Sequence, residues 1–232
     1  MDVKVSGILF DKDGTLFDFD KTWGAVTQLL IEVECAHDIK QIPVLAARLG
    51  FDLQRSVFLS ESLVIASTSD EVADAILPFT KDHNRVALLD RMTRVTSTVP
   101  QVQVADIRSL FSDLKERGLK LGIATNDAEI PAKANLMQAN VIEMFDFIAG
   151  FDSGFGGKPA PGQMFGFCEH LDLKPQQCVM VGDSLHDLHA GRAAGMRTIG
   201  VLTGPASRAD LVPHADIVME TIADIPAWLD QI

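Results

Sequence analysis

The stretch GILFDKDGTL, residues 7–16, joins a short apolar run to a turn that carries two carboxylates. The pattern of residues 3–10 predicts a buried strand that ends at Asp11, and the chain turns at Gly14, directly after Asp13. Two carboxylates placed two residues apart beyond a strand can point toward one site. There they suit either a nucleophile with a general acid or a metal ion.

After Pro100 the chain alternates between short apolar runs and helical patterns. This alternation predicts a mostly parallel sheet with helices on both faces, a Rossmann-like α/β core. In an open sheet of this kind, ligands bind outside the carboxyl ends of the strands, so the polar residues that follow strands are the candidates for function. The strands expected in this part are residues 119–125, 147–149, 178–181, 198–201 and 217–219.

The segment between the first turn and Pro100 has a different pattern. Apolar residues recur there at helical spacing, as between Val26 and Val33, and no convincing strand interrupts them. We therefore predict an α/β core, residues 1–17 and 96–232, interrupted by an all-helical insert, residues 18–95. Hinges near residues 17–21 and 95–104 are expected to open and close the insert over the core.

The composition excludes several classes of protein. The chain has 32 Asp and Glu against 20 Lys and Arg, a net charge of −12, which argues against a general binder of nucleic acid or anionic membranes. No apolar run reaches the ~18 residues of a membrane span, and the first residues do not resemble a signal peptide. Three scattered cysteines suggest a reducing compartment, so we expect a cytoplasmic location. The sequence predicts no oligomeric state.

Polar side chains stand at the ends of further predicted strands. Thr125 and Asn126 end one strand, where a hydroxyl and free backbone N–H groups can hold a phosphate oxygen. Lys158 follows a glycine-rich loop and precedes a helix. Asp183 and Asp187 follow the strand 178–181, one at its tip and one at the start of the next helix. Together these side chains predict a site for a phosphorylated ligand.

The charges at these strand ends require a cation. Asp11, Asp13, Asp183 and Asp187 carry about −4 if all are ionised, and four carboxylates in one crevice repel one another. Oxygen ligands from several strand ends are the ligands that Mg²⁺ prefers, and Mg²⁺ with Lys158 supplies +3. The sequence therefore predicts a magnesium site that also holds a phosphate dianion.

Four segments in this order resemble the four motifs of the haloacid dehalogenase superfamily. They are DKDGTLFD at 11–18, ATN at 124–126, GGKPAP at 156–161 and GDSLHD at 182–187. Their spacing is similar to that of the phosphoglycolate phosphatase-like group, and the long interval between the first two motifs matches a helical cap domain. The resemblance implies a phosphatase that acts on a small phosphorylated metabolite.

The resemblance also implies a role for each catalytic residue. Asp11 is expected to attack phosphorus and form an aspartyl phosphate. Asp13 is expected to protonate the leaving oxygen and then to deprotonate the water that cleaves the intermediate. Thr125, Asn126 and Lys158 are expected to bind the phosphoryl group and to stabilise its charge during transfer.

The metal ligands implied by the resemblance come from the first and fourth motifs. Mg²⁺ is expected to be held by Asp11, by the backbone carbonyl of Asp13 and by Asp183. Asp187 is expected to act behind these ligands or through water.

Several functional alternatives stay open at this point. Phosphoglycolate, after which the group is named, is the first candidate substrate, and a sugar phosphate or a nucleotide monophosphate is the next. A phosphosugar mutase of the β-phosphoglucomutase type shares all four motifs. A non-catalytic phosphate-binding module is expected to lack Asp11 or Asp13, and halide displacement is disfavoured because Asp13 is present. The candidate anion contacts on the insert, which at helical positions are more often solvated, are His37, Lys40, Arg48, Arg55, His83 and Arg85.

Overall fold

The computed structural model describes residues 4–59, 61–65 and 67–232. Val3, the first residue of the predicted first strand, lies outside the described residues. The strands of the described part are β1 (Gly7–Phe10), β2 (Phe51–Asp52), β3 (Val57–Phe58), β4 (Lys120–Ala124), β5 (Phe147–Ala149), β6 (Cys178–Gly182), β7 (Arg197–Val201) and β8 (Ile217–Met219).

Six of these strands form one parallel sheet in the order β5-β4-β1-β6-β7-β8. β1 lies in its centre, where Phe10 is in register with Ile123 of β4 and Val181 of β6. The predicted Rossmann-like α/β core is confirmed. Because β1, β4 and β6 are neighbours and parallel, the residues that follow them meet at one edge of the sheet.

The helices of the described part are α1 (Phe19–Cys35), α2 (Ile42–Leu49), α3 (Ser69–Ile76), α4 (Arg85–Thr98), α5 (Ile107–Glu116), α6 (Glu129–Gln138), α7 (Gly162–His170), α8 (Leu185–Ala194), α9 (Arg208–Leu211) and α10 (Ile225–Leu229). Helices of the core pack against both faces of the sheet, whereas α1 to α4 lie in the insert between β1 and α5. Side chains alternate along β1: Phe10 packs on Phe111 of α5, whereas Leu9 joins Phe167 of α7 in the cluster on the other face. None of the helices in the described ranges is long and apolar enough to cross a bilayer.

The insert between β1 and α5 has an apolar cluster of its own, formed by side chains of α1 to α4 and the segments between them. It also contains a feature that the sequence did not predict, the short antiparallel hairpin of β2 and β3. The Asp52 carboxylate accepts hydrogen bonds from the backbone N–H groups of Gln54 and Arg55, which closes the turn, and the Phe51 and Phe58 rings pack 5.1 Å apart. Each of these strands has only two residues, which is too short for the alternation of apolar and polar residues that predicts a strand from sequence.

The two segments that join the insert to the sheet run side by side. The backbone N–H of Asp18 donates to the carbonyl of Val102, and that of Val104 donates to the carbonyl of Leu16. Helix α4 continues to Thr98, a few residues beyond the predicted boundary at 95. The division into a core and a cap with hinges in these segments stays a proposal.

Candidate active site

The predicted site residues lie together beyond the central strands. Asp11 follows β1, Thr125 follows β4 and Asp183 follows β6, and all three side chains are buried. The backbone N–H of Asp11 donates to the carbonyl of Val181 at 2.8 Å, which fixes the nucleophile candidate directly at the strand end. The parallel pairing of β4, β1 and β6 thus brings three residues that are distant in sequence into one cluster.

Lys158 joins the members of this cluster. Its buried Nζ lies 2.5 Å from Asp11 Oδ1 and 2.6 Å from Asp187 Oδ1, and it donates to the carbonyl of Ala124 at 2.8 Å. Burial acts against the charge of Lys158, but the attraction of the two carboxylates is stronger in sum and raises its pKa above the ordinary value. Lys158 is therefore a fixed positive charge at this site.

Asp11, Asp183 and Asp187 bring carboxylate oxygens within 4.8 Å of one another. Burial, with repulsion from Asp187 and Asp13, raises the pKa of Asp11 to about 7 although Lys158 opposes the shift. Burial and the same kind of repulsion raise the pKa of Asp183 well above its ordinary value. The single positive charge of Lys158 does not balance the negative charges of three ionised, buried carboxylates. Because all the donor atoms are oxygens, the cluster suits a hard divalent cation.

The Asp13 carboxylate contacts a second buried lysine, Lys12, whose role was not predicted from the sequence. Lys12 is completely buried, and its Nζ donates to Asp13 Oδ1 at 2.7 Å and to Asn135 Oδ1 at 3.1 Å. The same Nζ lies 3.3 Å from Asp127 Oδ2. Burial, followed by repulsion from Asp13, raises the pKa of Asp127 to about 6 against the pull of Lys12. This network provides the Asp13 carboxylate with a buried positive partner of its own, separate from Lys158.

The network also reaches the insert. Asn135 of α6, which accepts from Lys12, donates through Nδ2 to the carbonyl of Thr96 in α4 at 3.0 Å. Nearby, Gln138 donates to the carbonyl of Ser97 at 2.6 Å. The end of α4 is thus hydrogen-bonded to Asn135, which in turn accepts from the lysine that donates to Asp13. A lysine between two aspartates was the one signal in the sequence that could have pointed to this arrangement.

The side-chain amide of Asn126 forms two hydrogen bonds with the main chain of Lys158. Its Oδ1 accepts from the Lys158 backbone N–H at 2.8 Å, and its Nδ2 donates to the Lys158 carbonyl at 3.0 Å. Thr125 Oγ1 accepts from the backbone N–H of Asp127 at 3.0 Å. Asn126 therefore positions Lys158, in addition to the phosphoryl contact predicted for it.

Two glycines make room for the Asp183 carboxylate. A Cβ on Gly14, whose φ is +85°, would lie 2.4 Å from Asp183 Oδ2, and a Cβ on Gly204 would lie 1.8 Å from the same atom. No side chain fits at either position while Asp183 keeps its place. Gly204 lies beyond β7, outside the four motifs at 11–18, 124–126, 156–161 and 182–187.

A cavity of about 80 Å³ lies between these residues and the insert. Since about 10–15 Å³ accommodates one water, the space suits a small ligand. Its walls on the core side include Asp11, Asp13, Thr125, Lys158 and Asp183. Among the described residues, none of the insert's predicted anion contacts lines the cavity.

Comparisons with known proteins agree with this architecture. The family model for haloacid dehalogenase-like hydrolases matches residues 5–195. In sequence, the chain is similar to the pyrophosphatase PpaX of Bacillus mycoides (strain KBAB4), with 26% identity over 231 residues that cover 99% of each chain.

Two solved structures share the fold. One is described as a predicted phosphoglycolate phosphatase from Haemophilus somnus 129pt, with a TM-score of 0.74, 19% identity and coverage of 97% of both chains. The other is the β-phosphoglucomutase of Clostridium difficile, with a TM-score of 0.65, 21% identity and coverage of 98% of both chains.

Proposed function

This chain belongs to the haloacid dehalogenase-like hydrolase family, and we propose that it is a Mg²⁺-dependent phosphatase that hydrolyses a small phosphomonoester through an aspartyl phosphate on Asp11. The observation that carries the proposal is the contact of Asp11 with Lys158 in a buried carboxylate cluster that borders a cavity. A nucleophile, a fixed cation and metal-type ligands are what phosphoryl transfer requires.

The first half of the proposed reaction transfers the phosphoryl group to the protein. An oxygen of the Asp11 carboxylate attacks phosphorus, and the bond between phosphorus and the ester oxygen breaks. Asp13 gives its proton to that leaving oxygen, so the product leaves as a neutral alcohol. Lys158, held by Asn126 through its main chain, stabilises the negative charge on the transferring group.

The second half regenerates the nucleophile. Asp13, now ionised, takes a proton from a water molecule, which attacks phosphorus and breaks the bond to Asp11. Phosphate is released, and Asp11 returns as a carboxylate. The hydrogen bond from Lys12 keeps the Asp13 carboxylate oriented in both halves.

Members of the family generally use a divalent metal, and the donor set at the strand ends fits Mg²⁺. Asp11, Asp183 and the backbone carbonyl of Asp13 are the proposed ligands. Asp187, which accepts hydrogen bonds from Lys158 and from the Ser184 hydroxyl, is proposed to act behind these ligands or through water. When bound, the ion would neutralise the facing carboxylates and polarise the phosphoryl oxygens. We also propose a cytoplasmic location, which the unpaired buried cysteines favour.

Release of inorganic phosphate from a panel of phosphate compounds, with Mg²⁺ and with EDTA, tests the proposal. The panel contains phosphoglycolate, pyrophosphate, hexose phosphates, nucleoside monophosphates and simple alkyl and aryl phosphates. We expect Mg²⁺-dependent release from at least one ester and loss of release in EDTA, because three buried carboxylates face one lysine without the ion.

Two other outcomes would contradict the phosphatase. Conversion of β-glucose 1-phosphate to glucose 6-phosphate, without phosphate release from any ester, would identify a mutase. Binding of a phosphate analogue without turnover would identify a binding module, although the presence of both Asp11 and Asp13 disfavours that function.

A further inference from the structure

The insert presents an apolar wall to the cavity. Ten apolar side chains of the described part of the insert line it, including Phe19, Trp23, Leu30, Val64, Val72 and Met92. Few polar side chains of the described insert residues lie on this wall. They are the small hydroxyl side chains of Thr27, Ser67, Ser69 and Thr96, together with the indole N–H of Trp23. That N–H is buried and has no hydrogen-bond partner among the described residues.

Within the described ranges, the charged side chains that line the cavity all belong to the core. Of the described residues, Lys158 is the only lysine or arginine among them. The insert's eight lysines and arginines lie elsewhere. Four of them pair with carboxylates of the insert itself, namely Lys21, Arg85, Arg91 and Arg94. The other four are exposed, namely Lys40, Arg48, Arg55 and Lys81.

The cavity therefore has a charged wall on the core side and an apolar wall on the insert side. On the proposed function, the core wall is the phosphoryl side, because Lys158 is its cationic side chain and a bound Mg²⁺ would neutralise the rest of a dianion's charge there. The remainder of a bound ester must lie against the insert wall, where an anion would lose its hydration without gaining a positive partner. An apolar group would instead exchange water for contact with Phe19, Trp23 and Leu30.

We infer that the substrate is the phosphate ester of an uncharged, largely apolar alcohol, aromatic or aliphatic, whose leaving group packs against the insert wall. The inference rests on the proposed phosphatase function and narrows its substrate class. Phosphoglycolate and pyrophosphate carry a second anionic group, so they are expected to be poor substrates. Hexose phosphates carry several hydroxyl groups, for which this wall offers few partners.

Two aromatic side chains of the insert wall, Trp23 and Phe19, form a surface suited to an aromatic ring of the substrate. Trp23 stacks on Phe19 with ring centroids 6.4 Å apart and an angle of 25° between the planes, and Phe19 contacts Phe58 behind it. Aromatic side chains of this kind provide a large, rigid contact surface and favour ring-containing ligands. The free N–H of Trp23 can serve an ether, carbonyl or hydroxyl oxygen of such a leaving group.

Two matched pairs of esters test the inference on the complete protein with Mg²⁺. The pairs are phenyl phosphate against 4-carboxyphenyl phosphate and propyl phosphate against phosphoglycolate, which differ mainly by one carboxylate. We expect kcat/KM to be at least about 100-fold higher for the uncharged member of each pair, since smaller changes in an apolar pocket already give 10-fold or more. Pyrophosphate is expected to rank with the carboxylated esters.

A variant that adds a cation to the wall provides the second readout. Ile65 is half-buried and lines the cavity, so Ile65→Lys is expected to shift the kcat/KM ratio toward the carboxylated ester by at least about 10-fold. Val86 is 79% exposed on α4 and does not line the cavity, so the same exchange, Val86→Lys, is expected to leave the ratio unchanged.

The outcomes distinguish the two proposals. If the wild-type protein hydrolysed the carboxylated esters or pyrophosphate as fast as the uncharged esters, or faster, the apolar substrate class would be wrong. The proposed phosphatase function would not be affected. An equal shift of the ratio in both variants would overturn the role of the insert wall. No phosphate release from any ester would overturn the phosphatase function and the inference with it.

Discussion

Asp11→Asn is expected to lower kcat by at least about 10⁴-fold while the protein stays folded. An amide oxygen is a poor nucleophile, and the exchange removes the carboxylate that would carry the phosphoryl group. Asparagine has nearly the same size, and its Oδ1 can still accept the hydrogen bond from Lys158 that Asp11 accepts at 2.5 Å. Phosphate binding should therefore persist. Steady-state phosphate release and circular dichroism measure the two expectations.

Asp113→Asn is the matched control for this substitution. Asp113 lies near the end of α5, where its side chain is 42% exposed and pairs with Arg117. It does not line the cavity, so the variant should keep wild-type kcat. A value of kcat for Asp11→Asn within tenfold of the wild type would show that another group attacks phosphorus.

Of the substitutions proposed, Lys12→Met is expected to destabilise the protein most, by about 3–5 kcal/mol in the free energy of unfolding. Lys12 is completely buried between Asp13 and Asp127, and methionine fills its space without its charge. Two carboxylates are then left without a positive partner in the interior. Urea unfolding followed by fluorescence or circular dichroism measures the loss. We also expect kcat to fall, because Asp13 loses the donor that orients it.

The pH dependence of this loss follows from Asp127. Its pKa in the folded protein, about 6, already lies above its ordinary value of 3.8, and removal of Lys12 raises it further. A carboxyl with a raised folded pKa contributes stability below its unfolded pKa, and that stability is lost as the pH rises through the folded pKa. The difference between Lys12→Met and the wild type should thus be larger at pH 8 than at pH 5.

Two further variants separate charge from packing. Lys12→Met combined with Asp127→Asn should recover a large part of the stability, because the buried charge is removed while an acceptor for the Ala128 N–H remains. Lys21→Met breaks an exposed pair with Asp18 and should cost less than about 1 kcal/mol. A Lys12→Met variant as stable as the wild type at pH 8 would contradict the role of the network.

The sequence was most informative where chemistry coincides with strand ends. Asp11, Thr125 and Asp183 could be identified because each directly follows an apolar run, and the parallel topology requires such positions to converge. Lys158 and Asp187 follow from the same logic, since a loop and a helix start return to that edge. Their catalytic and metal-binding roles stay predictions, for which the cluster around Lys158 provides the geometry.

The sequence was least informative where distant segments meet. The burial of Lys12 depends on Asp127 and Asn135, more than a hundred residues away, and a lone lysine normally indicates surface. The requirement for glycine at position 204 depends on how the loop after β7 approaches Asp183. The apolar wall of the insert is equally hidden, because helical spacing shows an apolar face without showing whether that face meets the protein core or a cavity.

Trapping of a phosphorylated protein tests the central proposal most directly. The ester that turns over fastest, labelled with ³²P, is mixed with the complete protein and Mg²⁺, quenched with acid within one turnover, and the labelled peptide is sequenced. We expect label on Asp11 that forms and decays at rates consistent with kcat, and no label in Asp11→Asn. Phosphate release at the normal rate with no labelled protein, or with label on another residue, would contradict the aspartyl phosphate mechanism.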